Sequence, residues 1–117
     1  MAQPTIEEER KRSLAIIKLN DQLRTRGTGG RIVITQGIQA LPQNTLDLVT
    51  PTISNFSDFT DDNDPYEEHD FGSVTINEYK IFWKIDYYDE TYHYASPDPT
   101  DPKLTCRVMT IMLAEEY

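Results

Sequence analysis

The chain has 117 residues, 38% of them hydrophobic, enough for one domain with a single core and too few for two comfortable ones. Its net charge of −9, from 20 Asp and Glu against 11 Lys and Arg, repels nucleic acids and anionic membranes and attracts basic protein surfaces. One cysteine, Cys106, excludes an internal disulfide, and no run reaches the ~18 apolar residues of a membrane span, so a cytoplasmic protein is the expectation.

From Thr5 to about Thr25, Leu14, Ile16, Ile17, Leu19 and Leu23 recur at three- and four-residue steps and predict an amphipathic helix. Thr5 with Glu8 forms a capping box, Arg24 and Arg26 suit the negative helix end, and the glycines from 27 to 30 stop it. Residues 1–6 are expected to lie partly in disorder. Residues 31–35 read as a short buried strand, followed by a break at 36–38. A second helix opens at 42–45 and carries Leu46, Val49, Ile53 and Phe56, with Pro51 expected to end or kink it near Thr50.

Two β-rich runs, 72–76 and 79–88, flank the polar pair Asn77 and Glu78 and predict a hairpin. Alternation puts Tyr79, Ile81, Trp83 and Ile85 on one face and Lys80, Phe82, Lys84 and Asp86 on the other. A turn at Asp89 and Glu90 leads to a third strand over 91–95, completing a three-stranded antiparallel meander. After the proline-rich stretch 96–102, Asp101 as N-cap and Pro102 at the first helical position predict a C-terminal helix with Leu104, Val108, Ile111 and Met112 on one face. The β-branched content keeps a strand open over 102–116. The fold class is α+β: one domain, 1–117, with helices on one face of a small antiparallel sheet and an acidic loop over 58–70.

The blocks GTGGRIVIT (27–35), FTDDNDPY (59–66), EHDFG (68–72), FWKIDYYD (82–89), SPDP (96–99) and TIMLAEEY (110–117) resemble the bacterial family called domain of unknown function 3768. The likeness runs from about Leu19 to Tyr117. Members of that family are often carried on plasmids and other mobile DNA, so the resemblance implies a bacterial cytoplasmic setting and a mobile-element role. It implies no reaction.

Residues 59–72 hold six carboxylates, one histidine and no basic side chain, inside a window from Ile32 to Tyr79 without a single Lys or Arg. Three chemistries compete for this stretch. Glu68, His69, Asp70, Asp64 and Asp86 offer oxygen and imidazole donors for Mg²⁺, Mn²⁺ or Zn²⁺, but their spacing matches no metal motif. His69 or His93 as base, with Asp70, Asp86 or Asp89 orienting and Ser73 or Ser96 as nucleophile, lacks any nucleophile elbow or phosphate loop, and Cys106 sits in an apolar segment that favours an inert thiol. Asn63, Asp64 and Pro65 are explained as a turn.

The third chemistry is a contact surface. Asp58, Asp61, Asp62, Asp64, Glu67, Glu68 and Asp70, extended by Asp89 and Glu90, form an array that imitates the ~1.7 Å charge spacing of a duplex. The expected partner is a basic protein surface, such as a nuclease or nucleoprotein defence complex. Neither cofactor nor direct nucleic-acid contact is expected. The alternative is a small metal-dependent enzyme using His69, Asp70 and Asp86.

Overall fold

The structure is a computed structural model that describes residues 3–117. Helix α1 (Ile6–Arg26) begins where Thr5 takes extended backbone and its hydroxyl accepts the Glu8 N–H at 3.1 Å. That pairs one of the donors every helix start leaves unpartnered. The helix stops at Gly27, whose φ of 71° is left-handed and whose N–H returns to the Leu23 carbonyl at 2.9 Å. Glycine takes this conformation without a Cβ clash. The disorder expected over residues 1–6 falls partly on Met1 and Ala2, outside the described residues, whereas Thr5 and Ile6 form the cap and first turn of α1.

Strand β1 (Arg31–Ile34) leads into α2 (Gln36–Gln39), one helical turn capped by Thr35 where the sequence predicts a plain break. Helix α3 (Gln43–Ser54) runs through Pro51 instead of ending near Thr50. Proline removes one intrahelical bond, but buried Val49 and Ile53 on either side hold the last turn to the core. Strands β2 (Phe71–Ile76) and β3 (Tyr79–Tyr88) form the expected hairpin, with Ile76 opposite Tyr79. Asn77 and Glu78 take φ of 47° and 76°, the paired left-handed geometry that matches the twist of the flanking strands.

Three further expectations need correction. Strand β1, expected to be buried, is exposed along its whole length because it forms an edge of the sheet. Residues 91–95 curl instead of pairing as a strand. Asp89 accepts the Thr91 N–H at 3.0 Å and the Thr91 hydroxyl at 2.7 Å, Tyr92 has φ of 62°, and a single bridge joins Tyr88 to Ala95. The C-terminal segment is a strand, β4 (Cys106–Leu113), not a helix, and Asp101 caps only a short turn by accepting the Lys103 N–H at 2.8 Å. Strand β4 lies between β1, which it pairs in parallel, and β3, which it pairs antiparallel. Satisfying its backbone on both edges and burying Arg107, Met109 and Ile111 outweighs the helical spacing of its apolar residues. A 3-10 turn, Ala114–Glu116, closes the chain. The result is α+β with a four-stranded mixed sheet in the order β1-β4-β3-β2.

One sheet face carries Ile81, Trp83, Ile85, Met109 and Ile111 and packs on Leu23, Ile38, Val49 and Ile53 of the three helices. Tyr79, expected on that face, sits at its margin and is 37% exposed. Gly72 lies opposite Trp83, and a Cβ there would fall 2.4 Å from the indole Nε1, so only glycine lets β2 cross the ring. On the other face Phe71, Phe82 and Tyr117 meet edge-on or tilted, with ring centroids 5.2 to 6.3 Å apart.

Arg24 joins the helices. Its guanidinium is buried and donates through Nη1 to the carbonyls of Ile53 at 3.0 Å, Ser54 at 3.3 Å and Phe56 at 2.8 Å, while Nη2 reaches Asp21 at 2.9 Å. The Ile53 carbonyl also accepts the Phe56 N–H at 3.2 Å, whereas the carbonyls of Ser54 and Phe56, at and just past the end of α3, take their donor from Arg24. The guanidinium also lies 5.3 Å from the Phe59 centroid and 5.4 Å from that of Trp83. Arg24→Ala should lower unfolding free energy by about 3 kcal/mol in urea melts, because it strands buried acceptors and an ion-pair partner. Arg26→Ala, exposed at the same helix end, should change it by less than about 0.5 kcal/mol.

Candidate partner-binding surface

The acidic loop is built from its own side chains. Asn63 donates through Nδ2 to the Asp58 carbonyl at 2.8 Å, and its Oδ1 accepts the Thr60 N–H at 2.9 Å. The Asp64 N–H returns to the Thr60 carbonyl at 2.8 Å, and the Asp64 carboxylate, 5% exposed, accepts the N–H groups of Glu68 at 2.8 Å and His69 at 3.1 Å. Asn and Asp bonding nearby backbone is ordinary turn chemistry. Glu67 and His69 both take φ of 54°, a left-handed pair in non-glycine residues that these bonds hold in place.

Two anchors fix the loop to the body. His69 stacks on Phe59 with centroids 3.8 Å apart and planes 2° from parallel, and its Nδ1 lies 3.0 and 3.2 Å from the Asp21 carboxylate oxygens. The second anchor is a polar network under Glu68. Asn20, wholly buried in α1, donates to the Glu68 carbonyl at 3.0 Å and the Tyr87 hydroxyl at 2.8 Å, and its Oδ1 accepts from Arg107 Nε at 2.8 Å. Arg107 continues to the Pro99 carbonyl and lies over the Tyr87 ring. Tyr87 donates to the Glu68 carboxylate at 2.8 Å, whose other oxygen lies 3.7 Å from Arg12. Burial pushes the Tyr87 hydroxyl well above its ordinary pKa, so it stays a donor, and burial draws Arg107 down from its usual range.

These contacts divide the predicted array. Asp58, Asp61, Asp62, Glu67 and Glu90 face solvent, Glu68 and Asp70 are half-buried, and Asp64 faces inward as a loop cap. Asp89 is engaged by Thr91, whose hydroxyl holds the carboxyl below its ordinary pKa. His69, Asp70 and Asp86 are not brought together. The Asp70 carbonyl accepts the Ile85 N–H at 2.8 Å, which extends the β2–β3 register and places Asp70 on the helix-covered face. Asp86 lies on the opposite face, bonded to Lys84 at 2.9 Å. Of the other chemistry candidates, His93 and Ser73 are exposed, Ser96 bonds the Thr105 hydroxyl at 2.7 Å, and Cys106 is half-buried at the start of β4. Among the described residues no group of three or more His, Cys, Asp or Glu side chains is placed to hold a metal ion, and no helix is long and apolar enough to cross a membrane.

Sequence reasoning missed Asn20, Asp21, Arg24, Tyr87 and Arg107 as organisers of the loop. The available signal was Asn20, a polar residue four steps after Ile16 and three before Leu23, on the stripe that proves buried.

The fold and this surface define a small mixed α+β protein that carries a pinned acidic loop beside its sheet. The chain belongs to the family described as protein of unknown function (DUF3768), whose model matches residues 34–116. No curated protein and no solved structure matches it.

Asp70 makes stability depend on pH. Burial, then the charge of Glu68, with smaller contributions from Asp64 and Asp86, raise its pKa from 3.8 to about 6, against the lowering effect of a backbone hydrogen bond. Its folded pKa lies above the unfolded one, so its contribution is fully present below pH ~4 and is lost as pH rises through ~6. Asp70→Asn should therefore stabilise the protein by about 1 kcal/mol at pH 7.5, after allowance for solvent screening at this half-open site. The gain should fade as pH drops toward 4 in chemical melts across that range.

Proposed function

We propose that this protein is a small acidic interaction protein of a bacterial mobile element, working in the cytoplasm. It binds a basic protein partner and, by presenting nucleic-acid-like charge, inhibits a nucleic-acid-targeting defence complex. One observation carries the reading: Asp58, Asp61, Asp62 and Glu67 point to solvent from a loop whose backbone is bonded internally and anchored at two places. Imitating a charged polymer requires fixed charges, since an array ordered only on binding must lose its conformational entropy at that moment. The mobile-element and inhibitory parts rest on the family resemblance and on the sign of the charge.

The alternative, a metal-dependent enzyme using His69, Asp70 and Asp86, has the raised Asp70 pKa in its favour. Against it stands the register, which separates Asp70 from Asp86 by the thickness of the sheet.

The test is affinity purification from a bacterial host at low salt, followed by binding measurements on the recovered nucleic-acid enzyme. Binding should weaken by at least about tenfold between ~50 and ~300 mM salt and be displaced by the enzyme's own nucleic acid. Neutralising Asp58, Asp61, Asp62 and Glu67 one at a time should reduce affinity stepwise. Salt-independent binding would sink this reading. So would loss of function confined to His69→Ala together with chelator sensitivity.

A further inference from the structure

Strand β1 leaves one edge of the sheet open. It stands first in the order β1-β4-β3-β2, and Ile32 and Val33 are 45% exposed and Ile34 37%. Strand β4 engages only half of its backbone. The Thr35 N–H bonds the Ile111 carbonyl at 3.1 Å, so alternation along the parallel ladder turns Arg31 and Val33 toward β4 and Ile32 and Ile34 away from it. Gln39 covers the Ile34 carbonyl, donating through Nε2 at 3.2 Å. Among the described residues nothing bonds the Ile32 N–H, the Ile32 carbonyl or the Ile34 N–H, and these face the open edge.

Open edges are commonly blunted by lysine, proline, a bulge or a covering loop. Here three consecutive β-branched apolar residues occupy the edge, the composition that suits pairing with another strand. The opposite edge differs, since β2 exposes the polar residues Ser73 and Thr75.

Charge decides what fits against β1. Between Asp21 and Asp47 the chain has no Asp or Glu, although it holds 20 in all. The exposed charges of that stretch are Arg26 and Arg31. Arg31 lies on the face away from the helices, with its guanidinium 4.5 Å from the Tyr92 centroid. Arg26 precedes Gly27, which sits beside Ile32 on the helix-covered face. At the far end of the strand Glu116 is occupied by the Thr35 hydroxyl at 2.6 Å and the Leu113 and Gly37 N–H groups at 2.8 and 3.2 Å. The start of the edge is therefore basic in a protein of net charge −9. A second copy paired edge to edge would bring two more arginines to the same place. Three half-exposed side chains also fall well short of the ~800 Å² per partner that a stable dimer buries.

We propose that β1 accepts an extended acidic segment of another protein as a fifth strand of the sheet. The segment bonds the free backbone groups of Ile32 and Ile34, lays alternate apolar residues beside the exposed side chains, and brings carboxylates to Arg26 and Arg31. Backbone pairing supplies the attraction and the two arginines set the position. This edge is separate from the acidic loop and selects the opposite charge, so it stands whether or not the acidic surface has a partner.

The test is an NMR titration and amide exchange of the full chain with acetyl-EVEVTVT-amide and its reversed sequence. In the free protein the Arg31, Val33 and Thr35 N–H groups should exchange slowly and those of Ile32 and Ile34 fast. The peptide whose direction sets its glutamates at the Arg31 end should give saturable shifts over residues 30–35 and protect the Ile32 and Ile34 amides. It should bind at least about fivefold tighter than the same peptide with lysine for glutamate. A fully N-methylated copy, with the same side chains and no backbone donors, should not bind. Arg26→Gln with Arg31→Gln should weaken binding by roughly fivefold or more. Ile34→Pro removes an outward donor and no bond to β4, so it should weaken binding too, and if that variant does not fold the arginine pair still decides.

An absence of saturable shifts at 30–35 with either peptide would overturn the proposal. So would equal binding of the lysine peptide, retained binding of the N-methylated copy, or unchanged binding in the arginine variant. Protection of the Ile32 and Ile34 amides that rises with protein concentration alone would assign the edge to a second copy and overturn it as well.

Discussion

The buried guanidinium of Arg24 is the contact on which the arrangement of the other parts depends. It bonds three carbonyls at the end of α3, holds Asp21 on its own helix, and lies against Phe59 and Trp83. Each partner controls a different region. The carbonyls fix the angle at which α3 meets α1, Trp83 is the centre of the sheet's core face, and Phe59 is the first aromatic of the acidic loop. Asp21 passes the constraint on, because its carboxylate also faces His69 Nδ1. A buried cation is tolerated only when its donors are used, and here backbone acceptors and one carboxylate use most of them.

The loop answers to a second constraint of the same type. Asn20 stands one residue before Asp21 and ties Glu68, Tyr87 and Arg107 into one buried network. Helix α1 thus grips the loop through two adjacent residues with different chemistry, an amide and a carboxylate. One consequence is that the acids of 58–70 divide by function in the fold. Asp64 and Glu68 serve the loop's own geometry, whereas Asp58, Asp61, Asp62 and Glu67 are left for solvent or a partner. A charge count along the sequence cannot make that division, because it depends on which carboxylates find backbone N–H groups.

Local signals were legible and long-range pairings were not. The Thr5 cap, the Gly27 stop and the hairpin at Asn77 and Glu78 each depend on a few adjacent residues, and each formed where the sequence placed it. At β4 the sequence favoured a helix and left a strand open, because its apolar residues fit helical spacing while its β-branched content suits a strand. What decides the matter is β1, which pairs Arg31 with Val108 across the whole chain. The turn at 91–95 was misread for the opposite reason: its aromatic, β-prone residues suggest a strand, and the Asp89 side chain overrides them locally. At the candidate site the acidic loop was visible as composition. Its anchors were not, since Arg24 and Arg107 look like surface charges until the fold buries them.

The central claim is that the acidic loop is a fixed array, held from within and from below. Amide hydrogen exchange tests it most directly. The N–H groups of Asp64, Glu67, Glu68 and His69 donate to Thr60, to the Asp64 carbonyl and to the Asp64 carboxylate, so they should exchange slowly, with protection approaching that of the β2–β3 strands. Exchange of these four amides at the rate of an unstructured peptide, while the sheet remains protected, would contradict the account.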